Sequence, residues 1–164
     1  MQFKSVALVA SAIMFAACGG GSETTPATET PAATPAAEAT PATGVVTPAP
    51  ATGTVHEIKM VGDDKGYRFE PANLTIKSGD AVKFVAVSGF PHNVAFIGTS
   101  LAPAVKSQLD VNFGTARLAE LSSQMYLAAN EGFTLSFANI PAGAYEFNCT
   151  PHLAMNMKGV ITVQ

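Results

Sequence analysis

Several short segments of the chain alternate apolar and polar residues with a period of two. Side chains of alternate residues in a strand point to the same face of a sheet, so each segment is predicted to be a β-strand with an apolar face. The clearest faces consist of Leu74 and Ile76; Val82, Phe84 and Ala86; Phe133, Leu135 and Phe137; and Tyr145, Phe147 and Cys149. Turn residues such as Ser78-Gly79-Asp80 separate these segments, and the sequence ends in a predicted short strand, "KGVITVQ".

Two segments depart from a simple one-sided pattern. The strand after the Ser78-Gly79-Asp80 turn also carries Val85 and Val87 on its second face, which predicts burial on both sides. Residues 101–130 lack the alternation, and within them apolar residues recur with helical spacing at Leu118, Leu121, Met125 and Leu127. We therefore expect an antiparallel β-sandwich with one short helix in this crossing segment.

The first 52 residues have a different composition. Residues 1–17 combine Lys4 with an apolar run that is too short to span a membrane, which is typical of a signal peptide and predicts export. The stretch "FAACGG" resembles the lipobox of bacterial lipoproteins, so Cys18 is a candidate for lipidation and membrane anchoring. An ordinary signal peptide followed by a coincidental cysteine is the alternative. Either reading places the protein in the periplasm or on the outer cell surface.

Residues 18–52 are rich in Ala, Thr and Pro and contain no aromatic residue. Such a segment cannot bury enough apolar surface to offset the entropy lost on ordering, so it is predicted to be a disordered tether. Residues 53–164 remain as the folded domain. This domain has nine acidic and eight basic residues once the three Glu and one Lys of residues 1–52 are set aside, so its charge predicts no nucleic-acid partner.

The candidate chemistry lies near the C-terminus, in "YEFNCTPHLAMNMKGVITV". Cys149, His152 and a methionine offer a thiolate, an imidazole and a thioether, a ligand set that suits copper. A second imidazole would complete the arrangement of a blue-copper centre. His92, which follows an apolar strand, is favoured over His56, which has the setting of a surface residue. The spacing by itself leaves Met155 and Met157 open as the axial ligand.

These motifs resemble those of the plastocyanin-like cupredoxin family. "GFPHN" surrounds the first histidine, "CTPH" supplies Cys-x-Pro-His, and "MKG" supplies Met-x-Gly before the last strand. The resemblance covers most of residues 54–164 and implies a Greek-key sandwich with one copper ion held by His92, Cys149, His152 and Met157. It also implies that Asn93 and Pro151 support the ligands from outside, with Asn93 tying the two ligand loops together.

The resemblance further implies a monomeric one-electron carrier rather than an enzyme, cycling between Cu(I) and Cu(II). Its redox partners would dock briefly on an apolar face around His152, with Leu153, Ala154 and Pro91 nearby. The alternatives are a copper-binding protein for storage or delivery and a structural lipoprotein that has lost its metal. A multicopper enzyme would need more histidines than the three in this chain. Catalysis by a Cys-His pair would need an accessible thiol, whereas Cys149 is predicted to face the core.

Overall fold

A computed structural model describes residues 45–164. The predicted signal peptide, residues 1–17, lies outside the described residues, as do Cys18 and the predicted tether up to residue 44. Among residues 45–164, no helix has the length and apolar character needed to cross a membrane.

The described chain is built mainly from strands. They are β1 (Val55–Asp63), β2 (Gly66–Glu70), β3 (Asn73–Ile76), β4 (Ala81–Ala86), β5 (Ala95–Phe96), β6 (Arg117–Ala119), β7 (Ser122–Ser123), β8 (Gly132–Ser136), β9 (Gly143–Asn148) and β10 (Lys158–Val163). One α-helix, α1 (Pro103–Asn112), lies between β5 and β6. Short 3₁₀ turns occupy Gly98–Ser100, Gly114–Ala116 and Thr150–Met155.

The strands form the two sheets of a sandwich. One sheet has the order β2-β1-β4-β8 and the other the order β3-β10-β9-β5-β7-β6. Most neighbouring strands are antiparallel, as expected, but β1 runs parallel to β4 and β3 runs parallel to β10. The sandwich is therefore mixed rather than wholly antiparallel.

The predicted apolar faces meet between the two sheets. Val82, Phe84 and Ala86 of β4 are fully buried, and so are Phe147 of β9 and Cys149, which directly follows that strand. Phe69 and Phe84 both contact the Phe147 ring edge to face, with centroid separations of 4.7 and 5.6 Å. This is a favourable arrangement for aromatic quadrupoles. The alternation in the sequence thus identifies the core correctly.

The second face of β4 is more open than the sequence indicates. Val87 is 42% exposed and Val85 is only partly buried, so the prediction of burial on both sides is wrong. The reason is that this face of the four-stranded sheet points to solvent, as the exposed Lys83 of the same strand also shows.

The helix of the crossing segment lies in the first half of residues 101–130, not in the second half where the leucine spacing indicated it. Pro103 occupies its first turn, where the missing proline N–H costs nothing, and Leu109 anchors it in the core. The predicted helical stretch instead forms β6 and β7, and Leu118 and Leu127 are mostly exposed. Leu121 between these strands has a φ of 55°, which no α-helix accommodates.

The folded part begins before residue 53. The Thr47 carbonyl accepts a hydrogen bond from Gln108 Nε2 at 3.0 Å, and the Ala49 N–H donates to Asn112 Oδ1 at 2.9 Å. Asn112 in turn donates to the carbonyls of Ser136 and Ala138. Contacts with α1 therefore reach back into residues 18–52, the range predicted to be tether.

Asp80 joins the start of the domain to its first turn. Its carboxylate accepts hydrogen bonds from the Thr54 N–H at 2.8 Å and the Lys77 N–H at 3.0 Å, and it lies 2.9 Å from Nε2 of His56. These three groups, Lys77 first, lower the pKa of Asp80 to about 2. His56 thus belongs to this end of the molecule.

We expect Asp80→Asn to lower the melting temperature by a few degrees at neutral pH, because the ionised carboxylate holds all three partners. Since the native pKa of about 2 lies below the ordinary 3.8, this stabilisation is complete above about pH 4. It is lost as the pH falls toward 2. Melting curves across this range should therefore converge for the native and variant proteins. Asp64→Asn, at an exposed position, is the control. A difference that stayed constant down to pH 2 would contradict an ionic origin.

Candidate metal centre

The site is built around the sulfur of Cys149. This residue directly follows β9 and continues the buried row of Tyr145 and Phe147, so its side chain points into the sandwich. Burial raises the pKa of the Cys149 thiol, and the backbone N–H groups of Asn93 and His152 oppose this rise in part. The sulfur is thus out of contact with water.

His92 enters the site from the loop after β4. Its backbone forms an isolated bridge with Tyr126 through hydrogen bonds of 3.0 and 2.8 Å, which fixes the position of the loop. The ring is fully buried, and its Nε2 lies 2.7 Å from the Ser88 carbonyl oxygen. Because a carbonyl can only accept, Nε2 carries the proton, and the lone pair of Nδ1 is free. That Nδ1 lies 3.6 Å from Cys149 Sγ.

His152 enters from the 3₁₀ turn Thr150–Met155, three residues beyond the cysteine. Its Nδ1 lies 3.4 Å from Cys149 Sγ, and the residue is 5% exposed. Burial lowers the pKa of both imidazoles, and the neighbouring His92 lowers that of His152 further. A lowered pKa favours the neutral form of each ring, which is the form that binds metals.

The burial of the two methionines distinguishes between them. Met157 is fully buried, and its carbonyl accepts a hydrogen bond from the Cys149 N–H at 3.0 Å. Its own N–H donates to the His152 carbonyl at 3.2 Å. Met155 is 51% exposed. The backbone contacts thus place Met157 beside both Cys149 and His152, with its side chain in the interior.

The arrangement matches the ligand chemistry of copper. Sγ of Cys149 and one ring nitrogen each of His92 and His152 lie within 4.8 Å of one another, and all three residues are buried. A thiolate with two imidazoles is the trigonal donor set of blue-copper centres, and a nearby thioether is their usual weak fourth ligand.

Asn93 connects the two loops that carry the ligands. Its side-chain oxygen accepts a hydrogen bond from the Thr150 N–H at 2.7 Å, and its Nδ2 lies 3.2 Å from both Thr150 Oγ1 and Ser122 Oγ. Asn93 is 2% exposed, whereas Thr150 is exposed, so these bonds are partly buried. Pro151, in the first turn of the 3₁₀ segment, sets the backbone between Cys149 and His152.

Two residues at the site escaped the sequence analysis. The Tyr67 ring stacks on the His152 ring, with centroids 3.8 Å apart and planes 20° from parallel. Ser88 supplies the carbonyl that orients His92. The direction of a backbone carbonyl such as that of Ser88 cannot be read from a sequence. Tyr67 was missed because its partner, His152, is far away in the chain. His56, the histidine that the sequence disfavoured, lies against Asp80 instead.

Known proteins support the same assignment. Residues 56–164 match the family model described as copper binding proteins of the plastocyanin/azurin family. Plastocyanin of Scenedesmus fuscus is 37% identical over 108 residues, covering 65% of this chain and 97% of that protein. Plastocyanin of Nostoc punctiforme is 37% identical over 111 residues, covering 66% and 73% respectively. The match to chloroplastic plastocyanin of Physcomitrium patens, at 36% identity, spans 65% of this chain and 56% of that protein.

Solved structures agree in fold. Oxidised plastocyanin from Dryopteris crassirhizoma superimposes with a TM-score of 0.51 at 30% identity, covering 66% of this chain and 99% of that one. A mutant fern plastocyanin gives the same TM-score at 32% identity. With the family model covering most of the chain and the ligand residues converging in the structure, this chain belongs to the plastocyanin/azurin family of copper-binding proteins.

Proposed function

We propose that this protein is a mononuclear blue-copper electron carrier in which His92, Cys149, His152 and Met157 hold the metal. The observation that carries the proposal is the convergence of one buried sulfur and two ring nitrogens within 4.8 Å. Bound copper supplies the one-electron couple between Cu(I) and Cu(II). No substrate is transformed, so the protein would act as a shuttle between redox partners.

The residues around the donors serve this function by limiting their motion. The Cys149 N–H is bonded to the Met157 carbonyl, the His92 backbone is bonded to Tyr126, and Asn93 ties the two loops together. Outer hydrogen bonds of this kind orient metal ligands and tune the potential. A rigid ligand frame keeps the structural rearrangement on electron transfer small.

We place the docking face for partners around His152. Leu153 is 53% exposed, and Ala154 and Pro91 are also exposed beside the two histidine loops. We define these three residues as the apolar rim. An apolar rim next to a ligand that lies near the surface suits small, short-lived interfaces between redox proteins.

We further propose that the carrier works outside the cytoplasm, attached to a membrane through lipid on Cys18. The signal-like residues 1–17, the lipobox-like "FAACGG" and the Pro-rich stretch before the domain support this proposal. The domain would then act at a membrane surface as a monomer, exchanging electrons with partners held there.

The metal assignment predicts distinct spectra for three variants. The copper-loaded protein should show an intense visible band and a narrow copper hyperfine splitting in EPR. Cys149→Ser should lose both, because the band requires a thiolate. Met157→Leu should keep the colour with a shifted spectrum and a potential changed by tens of millivolts, because the axial ligand tunes the copper. Met155→Leu is the matched control and should behave like the native protein. A shift in Met155→Leu alone would reassign the axial ligand.

The docking face predicts a charge-sensitive rate. Electron self-exchange requires two copies to approach through their apolar rims, so Leu153→Lys should slow it roughly tenfold through like-charge repulsion. The rate can be measured by NMR line broadening in mixtures of oxidised and reduced protein. Val55→Lys is the control, since Val55 is 58% exposed at the far end of β1. Equal rates in both variants would place the docking face elsewhere.

The proposed anchor predicts the location of the protein in cells. Expressed with its full N-terminus, the native chain should sediment with membranes and partition into detergent. Cys18→Ser should remain exported but move to the soluble fraction, because the residue that would carry the lipid is gone. If both chains were soluble outside the cytoplasm, the anchor would be excluded while the signal peptide and the copper assignment stood.

A further inference from the structure

A single carbonyl oxygen connects strand β1 to a metal ligand. The Ser88 oxygen accepts a hydrogen bond from Nε2 of His92 at 2.7 Å, and it accepts a second one from the N–H of Gly62 at 2.9 Å. Gly62 belongs to β1, and it is far from the copper motifs in the sequence. The position of this strand therefore fixes the acceptor that orients His92.

The approach of the loop to β1 is possible only because two glycines face each other. A Cβ atom added to Gly62 would lie 2.9 Å from the Cα of Gly89, and one added to Gly89 would lie 2.5 Å from the Cα of Gly62. Real Cβ atoms do not come this close to backbone. Gly89 also has a φ of 75°, which residues with side chains rarely adopt. Glycine at both positions thus lets the Ser88 carbonyl reach the His92 ring.

The same glycine pair leaves room for the Tyr67 ring. A Cβ on Gly62 would lie 2.6 Å from Tyr67 Cε1, and one on Gly89 would lie 3.0 Å from that atom. This ring stacks on His152 and contacts the His92 ring edge to face at 6.3 Å. The space around Gly62 and Gly89 therefore affects both imidazoles. It acts on His92 through the Ser88 carbonyl and on His152 through the Tyr67 ring.

We propose that the contact between Gly62 and Gly89 is a positioning element of the copper centre. It holds the Ser88 carbonyl against His92 and lets Tyr67 lie against His152. Gly62 is not itself a ligand and acts through these two neighbours. The proposal rests on the proposed function in that it takes His92 and His152 as copper ligands.

The hydrogen bonds can be tested in the unaltered, copper-free protein. NMR scalar couplings across hydrogen bonds should connect the Ser88 carbonyl carbon to two nitrogens, the backbone nitrogen of Gly62 and Nε2 of His92. Detection of both supports the shared acceptor. A coupling from His92 without one from Gly62 overturns the link to β1. This measurement decides the question even if a substitution at Gly62 prevents folding.

The positioning role is tested with Gly62→Ala, whose methyl group would collide with both the Tyr67 ring and the Gly89 backbone. In the copper-free variant, the proton on His92 Nε2 should move upfield and exchange with water roughly fivefold faster or more, as expected for a weakened hydrogen bond. In the copper-loaded variant, the EPR hyperfine splitting and the reduction potential should both change. Gly143→Ala is the matched control, because its Cβ would make only an ordinary contact of 3.4 Å with the Tyr145 hydroxyl.

The outcomes separate this inference from the proposed function. If the native protein shows both couplings but no blue-copper spectrum, the proposed function fails, and with it any role of the glycines at a copper centre. If the native protein is blue and Gly62→Ala matches it in proton exchange, hyperfine splitting and potential, the positioning role is overturned while the electron carrier stands. A change in all three that is absent from Gly143→Ala supports the proposal.

Discussion

The constraint on which this molecule depends is the burial of one sulfur atom. A sulfur without water needs other polar partners, and the structure brings the Nδ1 atoms of His92 and His152 to 3.6 and 3.4 Å from it. These two histidines lie on separate loops, which are joined by the hydrogen bond from the Thr150 N–H to Asn93, two residues 57 positions apart in sequence. Satisfying the sulfur therefore requires both sheets of the sandwich to be formed. The ligand geometry is a result of the whole fold rather than of a local motif.

Interior placement also bears on the choice between electron transfer and copper delivery. Cys149 and Met157 are fully buried, and only an edge of His152 reaches the surface. A metal held there would leave only if the loops that are tied by Asn93 opened. Met155 is exposed, but it offers only one thioether. A single weak ligand of this kind is not enough to pass copper to another protein. These features favour retention of copper, which is what a carrier requires.

Sequence analysis predicted the parts of the structure that depend on local pattern. The spacing of Cys149 and His152 and the apolar faces of the core strands are short-range signals, and they were correct. The helix was predicted in the wrong half of residues 101–130. The leucines near Leu118 have the spacing of a helical face, but strand pairing in the folded protein outweighs this local preference. Parallel pairing of β1 with β4 and the stack of Tyr67 on His152 depend on contacts between distant segments, which periodicity does not encode.

Residues 47–53 are attached to one end of the sandwich, and this attachment determines which end lies closest to the preceding chain. Thr47 and Ala49 are hydrogen-bonded to side chains of α1. One of these, Asn112, also donates a hydrogen bond to the Ser136 carbonyl. Ser136 pairs with Ala81 at the start of β4. The histidine loops lie beyond the opposite end of that strand, roughly 17 Å away at about 3.3 Å per residue. If the preceding residues tether the domain as proposed, the point of attachment is at the end of β4 opposite the copper ligands. The His152 face would then point away from the attachment point, where a redox partner could reach it without contacting the tether.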